Sequence, residues 1–203
     1  MLVFNSTAIV TVAVAIFVAE LTDKDAFLLL TLATRRKAWF VFCAGSFAFT
    51  VTTAIIVTSG YFILTVVPVL WIKLAGGVVM VSYGLWQFFQ TGEERELESE
   101  KSKVLSRSAR KNVLMAFLGT AAMLALLDLA GDATEILTII FLAQFRDAVL
   151  VFVATLSALI AATAVETFLG SQLQRTLSAK RLRMLSVMVF LFIGTVIVIA
   201  TVL

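Results

Sequence analysis

Histidine is absent from this chain of 203 residues, and cysteine occurs only once, as Cys43. Without histidine, zinc or iron sites that depend on imidazole ligands are excluded within the chain. A single cysteine excludes an intramolecular disulfide and any cysteine-rich metal motif. No nucleophile with a neighbouring base and no phosphate-binding loop occurs either. The sequence therefore argues against an enzyme, and no cofactor is expected.

Charge is also scarce, because only 14% of the residues are charged while 61% are hydrophobic, with a mean hydropathy of +1.06. A soluble globular domain does not normally carry so little polar surface. We therefore predict an integral membrane protein in a lipid bilayer. The net charge of +3 comes from basic clusters between apolar spans, which fits orientation in a membrane rather than a nucleic-acid partner.

Six apolar stretches approach or exceed the roughly 20 residues that a spanning helix needs. They are residues 7–34, 38–59, 70–90, 113–143, 148–170 and 184–203. As one helix the first would extend about 42 Å, against a hydrocarbon core of about 30 Å, so tilt or a break near its charges is expected. The polar segment 91–112 divides the chain into a first three-helix unit, 1–90, and a second, 113–203.

The basic residues predict the orientation of these spans. The loops after spans one, three and five carry 13 of the 16 Lys and Arg residues, namely Arg35, Arg36, Lys37, Arg95, Lys101, Lys103, Arg107, Arg110, Lys111, Arg175, Lys180, Arg181 and Arg183. Basic loops remain on the cytoplasmic side of a membrane. Both termini are therefore predicted to be non-cytoplasmic, in a multi-pass protein of the plasma membrane.

The two halves of the chain resemble each other at a shift of 110 residues. TLATRRKAWFVF at 31–42 matches FLAQFRDAVLVF at 141–152. Because each half holds three spans, an odd number, the second half must be inverted in the bilayer. The predicted fold is all-α, with six transmembrane helices in two inverted three-helix repeats. Inverted repeats are typical of transporters that bind substrate near the bilayer midplane.

Each half carries acidic residues inside an apolar span. The first cluster is ELTDKD at 20–25, and the second lies within LLDLAGDATEILTII at 126–140. On a helix, Glu20 and Asp23 share a face, and Asp128, Asp132 and Glu135 share another. We therefore expect the two acidic faces to meet between the repeats.

An ionised aspartate at the membrane centre costs about 2.5 to 3.5 kcal/mol, so these acids must bind cations or protons. A hard divalent cation takes about six or more oxygen ligands, with carboxylates preferred. The predicted ligands are Glu20, Asp23, Asp128 and Asp132, with the hydroxyls of Thr22 and Thr134 within reach. Closely spaced carboxylates also accept protons when the metal leaves, which is the physical basis of an antiporter.

Other readings of these residues remain open. Lys24 can form a buried ion pair with Glu20, four positions earlier, while the remaining acids lie near water at the ends of tilted helices. Asp25 points about 140° away from Glu20 on an ideal helix, so it joins the site only if the helix breaks. Glu135 is a further candidate ligand.

Three features of the other spans carry weaker signals. Glu166 can pair with Arg175, and a structural role is favoured over transport. Ser46, Thr50 and Thr53 form a polar stripe on span two that lines a pathway or, more commonly, bonds back to helix carbonyls. The glycines of span three, Gly76, Gly77 and Gly84, predict close helix packing.

ELTDKD resembles the E-x-G-D-K-T motif of the transmembrane protein 165 family, Golgi manganese and calcium transporters with bacterial and plastid relatives. Glu20, Asp23 and Lys24 match the motif, while Thr22 replaces its glycine and Asp25 its threonine. The resemblance extends over nearly the whole chain. It implies a cation:proton antiporter that moves Mn²⁺ or Ca²⁺ out of the cytosol, with the motif acids as ligands.

The second motif departs further from the family pattern. Gly131 and Asp132 are kept, but Ala133 stands where Arg or Lys is usual, and Leu129 falls where the motif has glutamate. Asp128, one residue earlier, can replace that glutamate. These departures indicate a divergent member with altered selectivity.

Two other functions fit the sequence. One is export of a small organic cation or amino acid, for which a larger cavity with aromatic walls is expected. The other is a non-transporting scaffold subunit whose acids pair with partner helices. The sequence leaves the choice of cation and the oligomeric state open.

Overall fold

The computed structural model describes residues 6–22, 26, 29–30, 32–33, 36–89, 113–129, 133–169 and 179–202, and every regular element within these ranges is a helix. The helices are α1 (Ser6–Thr22), α2 (Ala38–Val66), α3 (Val69–Phe89), α4 (Val113–Asp128), α5 (Ala133–Phe145), α6 (Ala148–Ala164) and α7 (Ala179–Val202). A π-helical turn, Val165–Leu169, continues α6. The all-α prediction holds for these residues.

Several sequence predictions fall outside the described residues. They concern the linker 91–112, Asp23, Lys24, Asp25, Gly131, Asp132, Arg175 and the side chain of Thr22. The division into two units joined by this linker therefore stays a prediction.

Three of the described helices are long and apolar enough to cross a membrane: Ala38–Val66, Val69–Trp86 and Ala148–Leu169. Shorter apolar helices cover Ser6–Leu21, Val113–Leu126, Thr134–Phe145 and Val187–Val202. Large apolar side chains face outward on several helices, with Trp39 66% and Phe192 71% exposed, whereas buried threonines and acids lie inside. Such an apolar exterior suits a lipid environment. The total of six spans stays a prediction.

The polar interior is surrounded by four packed helices. α2 contacts α4, α5 and α6, and α1 packs mainly against α6. Trp39 at the start of α2 meets Phe168 beyond the end of α6, with ring centroids 5.1 Å apart, and Gly45 packs against Thr163. The residue numbers fall along one helix as they rise along the other, so α2 and α6 are antiparallel.

α3 and α7 form a second antiparallel pair through close contact of small residues. A Cβ atom added at Gly77 would lie 2.7 Å from Val198 Cγ2, and one at Gly84 would lie 3.1 Å from Leu191 Cγ. On α3, Gly76 packs equally closely against Ile140 of α5, at 2.6 Å from Cδ1. The predicted role of these three glycines in close helix packing is confirmed.

The predicted fourth span is not one helix. α4 ends at Asp128, where Leu129 N–H donates to Ala125 O at 3.0 Å, and α5 begins at Ala133. The prediction that Asp128 and Glu135 lie on one continuous helix is therefore wrong, and Asp132 lies outside the described residues. An unbroken helix over residues 113–143 would extend about 46 Å, so a break lets the segment fit a core of about 30 Å.

Candidate functional site

A small cavity lies between α2, α4, α5 and α6 near the break in the fourth predicted span. Its lining consists of Thr53 and Ile56 from α2, Asp128 from α4, Thr134, Glu135 and Thr138 from α5, and Thr155 and Leu159 from α6. We call it the threonine cavity, because four of its eight lining residues are threonines. Thr53 lies close to the middle of the 29-residue α2, so the cavity is far from the ends of that helix.

The helix break brings two carboxyl groups into this cavity. Asp128 is the last residue of α4, and Glu135 lies in the first turn of α5. The last carbonyl groups of a helix lack intrahelical partners and carry a partial negative charge. The end of α4 therefore favours a cation where Asp128 lies.

Asp128 and Leu129, where the second motif departs from the family pattern, differ in burial. Asp128 is 3% exposed and lines the cavity, whereas Leu129 is 38% exposed and does not line it. Asp128 lies one residue before the position at which the family motif has glutamate, and its carboxyl group lies inside the bundle. An acid at position 129 on this backbone would be on the more exposed side.

The cavity has space for one small particle. Its volume of about 10 Å³ is room for about one water molecule or one small cation. Oxygen-bearing side chains supply six of the eight lining residues, and Ile56 and Leu159 supply the apolar remainder. The arrangement can hold a hard cation among carboxyl and hydroxyl oxygens.

The structure brings together three of the sequence-predicted ligands, Asp128, Thr134 and Glu135, around one cavity. Glu20 is fully buried near the end of α1, but it is not among the side chains that line the cavity. Within the described part of the chain, no group of three or more acidic, histidine or cysteine side chains could hold a metal ion. The four-carboxylate site, which includes Asp23 and Asp132, therefore stays a prediction.

The polar stripe of α2 was predicted either to line a pathway or to bond to helix carbonyls, and both roles occur. Thr50 donates to Ser46 O at 2.7 Å, which is the bond back to the helix backbone. Thr53 lines the cavity. Glu166, on the π-helical turn, is fully buried, and its predicted partner Arg175 lies outside the described residues.

Sequence reasoning missed four lining residues: Ile56, Thr138, Thr155 and Leu159. Thr138 could have been predicted from its spacing, because it lies four positions after Thr134 and three after Glu135 and so shares their helix face. Thr155 lies in the run VFVATLSALIAATA, where nothing in the local pattern separates it from Ser157 or Thr163. Its position opposite the break is a tertiary feature.

The comparison with known protein families agrees with the chemistry of this cavity. The family model described as divalent cation/proton antiporter GDT1 matches residues 8–95 and 116–202. No curated protein and no solved structure matches the chain. The two matched regions cover most of the sequence, so the chain belongs to the divalent cation/proton antiporter family GDT1, a transporter family, as its resemblance to the transmembrane protein 165 family predicts.

Proposed function

We propose that this protein exports Mn²⁺ or Ca²⁺ from the cytosol in exchange for protons, with Glu20, Asp23, Asp128 and Asp132 as the carboxylate ligands. Asp25, Glu135, Thr22 and Thr134 are further candidate ligands, and Lys24 offsets part of the negative charge. Family membership supports the reaction class. The choice between the two metals and the assignment of these residues belong to the proposal.

The observation that carries the proposal is the pair of carboxyl groups at a helix break. Asp128 is 3% exposed and lies with Glu135 in a cavity whose other polar lining is threonine. Mn²⁺ and Ca²⁺ favour oxygen ligands of this kind. Discontinuous helices whose ends meet a substrate ion are a recurring device in transporters.

We further propose that the two halves form inverted three-helix repeats. The same family model matches residues 8–95 and 116–202. α2 and α6 begin at Ala38 and Ala148, 110 positions apart, and they run antiparallel, as do α3 and α7. Antiparallel equivalents are what an inverted repeat requires. This arrangement would bring the acidic motifs of the two halves towards one another.

Exchange follows from competition for the same oxygen atoms. Carboxylate groups bind a metal only when they are deprotonated, so the cation leaves as protons arrive and protons leave as the cation arrives. Four carboxylates exceed the charge of one divalent ion, and Lys24 offsets at most one of the remainder. Protons are needed to neutralise the remaining negative charge, and this requirement couples the metal flux to the proton flux.

The size of the cavity bears on the alternative substrates. A space for about one water molecule favours a metal ion over an organic cation or an amino acid, and no aromatic side chain is among its described lining residues. A metal ion fits this space. The scaffold alternative predicts no flux at all and is separated from transport by experiment.

Transport by purified protein in liposomes tests the proposal. Mn²⁺, Ca²⁺ and Mg²⁺ are offered in turn while an internal dye reports pH. We expect Mn²⁺ or Ca²⁺ flux in one direction with proton flux in the other. The apparent affinity for the metal should fall as the pH is lowered from about 8 to about 6, because protonated carboxyl groups no longer bind it.

Asp128→Asn tests the site itself. Transport should fall by about tenfold to about a hundredfold, because a charged ligand is lost. Asp147→Asn is the matched control, since Asp147 caps α6 by accepting from Leu150 N–H at 3.0 Å and asparagine caps about as well. Metal flux that is independent of pH and survives Asp128→Asn would overturn the proposal.

A further inference from the structure

Thr155 on α6 lies outside both acidic motifs, yet it lines the threonine cavity together with Asp128 and Glu135. Its side chain is 2% exposed. The helix that carries it packs against α1, α2 and α5, so Thr155 is held in the interior of the bundle. A buried hydroxyl needs a hydrogen-bond partner, and the identity of that partner decides what the residue does.

Five other buried threonines satisfy their hydroxyl groups within their own helices. Each donates to a backbone carbonyl oxygen three or four residues earlier; these are Thr52, Thr120, Thr138, Thr163 and Thr167. The bond lengths are 2.6 to 2.8 Å for all but Thr52, at 3.3 Å. This bond back to the helix is the usual state of threonine in an apolar helix.

Thr155 differs from these residues. Its Oγ1 atom is buried and has no hydrogen-bond partner among the residues that the structure describes. An unsatisfied buried hydroxyl destabilises a fold, so a partner for this group is expected. The group lies beside a space that holds about one water molecule or cation, and an occupant of that space would satisfy it.

The chemistry of the cavity indicates which occupant this is. Asp128 and Glu135 provide acidic oxygens, and a divalent cation needs about six or more ligand oxygens, beyond what two carboxylates easily give. Thr138 donates its proton to Thr134 O at 2.7 Å, which leaves the lone pairs of its own oxygen for an electropositive partner. Hydroxyl oxygens of the cavity can therefore complete a coordination shell that the carboxylates begin.

We propose that the Thr155 hydroxyl oxygen is a direct ligand of the transported divalent cation, supplied by α6 from outside both motifs. This inference rests on the proposed function and adds a neutral ligand to its carboxylates. The threonine cavity is then the binding subsite for the cation, at the end of α4.

The other half of the chain does not offer an equivalent hydroxyl. In the alignment of the two halves at a shift of 110 residues, Thr155 corresponds to Gly45. A Cβ atom added at Gly45 would lie 3.1 Å from Thr163 Cγ2 and 3.3 Å from Leu29 Cδ2. That position is closely packed and has no side-chain oxygen. At this pair of equivalent positions only the second half supplies a hydroxyl, so the contribution of Thr155 has no counterpart in the first repeat.

Thr155→Val tests the inference, because valine keeps the shape and removes the hydroxyl. In liposomes the KM for Mn²⁺ or Ca²⁺ should rise about tenfold with little change in the maximal rate, the effect of losing one hydrogen-bonding or ligand group beside a charge. Thr155→Ser keeps the oxygen and should stay near the wild-type KM. Thr163→Val, on the same helix but bonded to Leu159 O at 2.7 Å, is the matched control and should also stay near wild type.

Thermal unfolding in detergent gives a second measurement of cation binding that does not depend on transport. The bound cation should raise the Tm of wild type, Thr155→Ser and Thr163→Val, and raise it less for Thr155→Val at the same cation concentration. Without cation, Thr155→Val should be no less stable than wild type, because an unsatisfied hydroxyl is removed. If valine prevents folding, Thr155→Ala takes its place in both measurements.

Three results would overturn the inference. An unchanged KM and an unchanged cation-induced Tm shift in Thr155→Val, with an active wild type, would reject Thr155 as a ligand and leave the proposed function standing. Equal losses in Thr155→Val and Thr155→Ser would show that side-chain volume, not the oxygen, matters. A wild type that neither transports nor is stabilised by any cation would remove the proposed function and this inference together.

Discussion

The acidic side chains that line the threonine cavity lie at helix ends. Asp128 is the last residue of α4, and Glu135 lies in the first turn of α5. Helix ends carry the backbone groups that lack intrahelical partners. At the end of α4 these groups are carbonyl oxygens, which repel an ionised carboxylate, so Asp128 is buried at the lowest cost when it is protonated or paired with a cation.

Glu20→Gln should reduce transport by about tenfold to about a hundredfold while the protein remains folded, because a charged ligand becomes a neutral group of similar shape. Glu166→Gln is the matched comparison, since Glu166 is equally buried but lies outside both motifs. We expect that variant to keep transport. Initial rates of metal flux in liposomes measure both variants, and equal losses would mean that any buried carboxyl group matters, whatever its motif.

Within the described parts of the predicted spans, two interruptions of regular helix have a buried acid beside them. The gap between α4 and α5 follows Asp128, and the π-helical turn after α6 contains Glu166. π-helical turns within α-helices are frequent at functional sites. The interruptions break the regular backbone where ionisable groups lie, whereas the continuous helix α2 provides the wall opposite.

The contact of α3 with α7 depends on glycine, and Gly194→Ala tests this dependence. An added Cβ would lie 2.9 Å from Gly77 O, Val81 N and Val81 Cγ2, so backbone as well as side chain must move. We expect the free energy of unfolding to fall by about 1 to 3 kcal/mol. Thermal unfolding in detergent measures the change.

Gly119→Ala on α4 is the control for that measurement, because nothing lies within 4 Å of its added Cβ. Alanine has a higher helix propensity than glycine, so this variant should be neutral or slightly more stable. A similar loss of stability in both variants would contradict the idea that close packing at Gly194 joins α3 to α7.

The described helices combine an apolar exterior with a polar interior. Trp39, Phe62 and Phe192 are each more than 60% exposed, while Glu20 and Glu166 are fully buried. In water this pattern would be unfavourable, but lipid reverses the preference at the surface. The acidic interior is then reached only through the protein, which is what a selective ion pathway requires.

Labelling from the two sides of the membrane tests the predicted topology. In a Cys43→Ala background, labels placed at the termini, residues 1 and 203, should react from outside. A label at position 102 in Ser102→Cys should react only from the cytosol, because basic loops remain there. Termini on opposite sides of the membrane would contradict the six-span inverted repeat and the shared site that depends on it.

The sequence by itself determined the class of the molecule and its chemistry. Hydropathy requires helices in lipid, because backbone groups there must be satisfied internally. The acidic motifs ELTDKD and GDATE, placed within apolar spans, indicate cation binding and led to the family that the comparison then confirmed. These conclusions depend only on composition and on neighbours along the chain.

Tertiary structure decided which residues share the cavity. The break after Asp128 replaced the predicted single helix face, so that Asp128 and Glu135 meet Thr53 and Thr155 from other helices. Side chains about 100 positions apart become neighbours through helix packing, and no local pattern records that. Thr155 and Thr163 look alike in sequence, but only the packed bundle places one beside the acids and the other against Gly45.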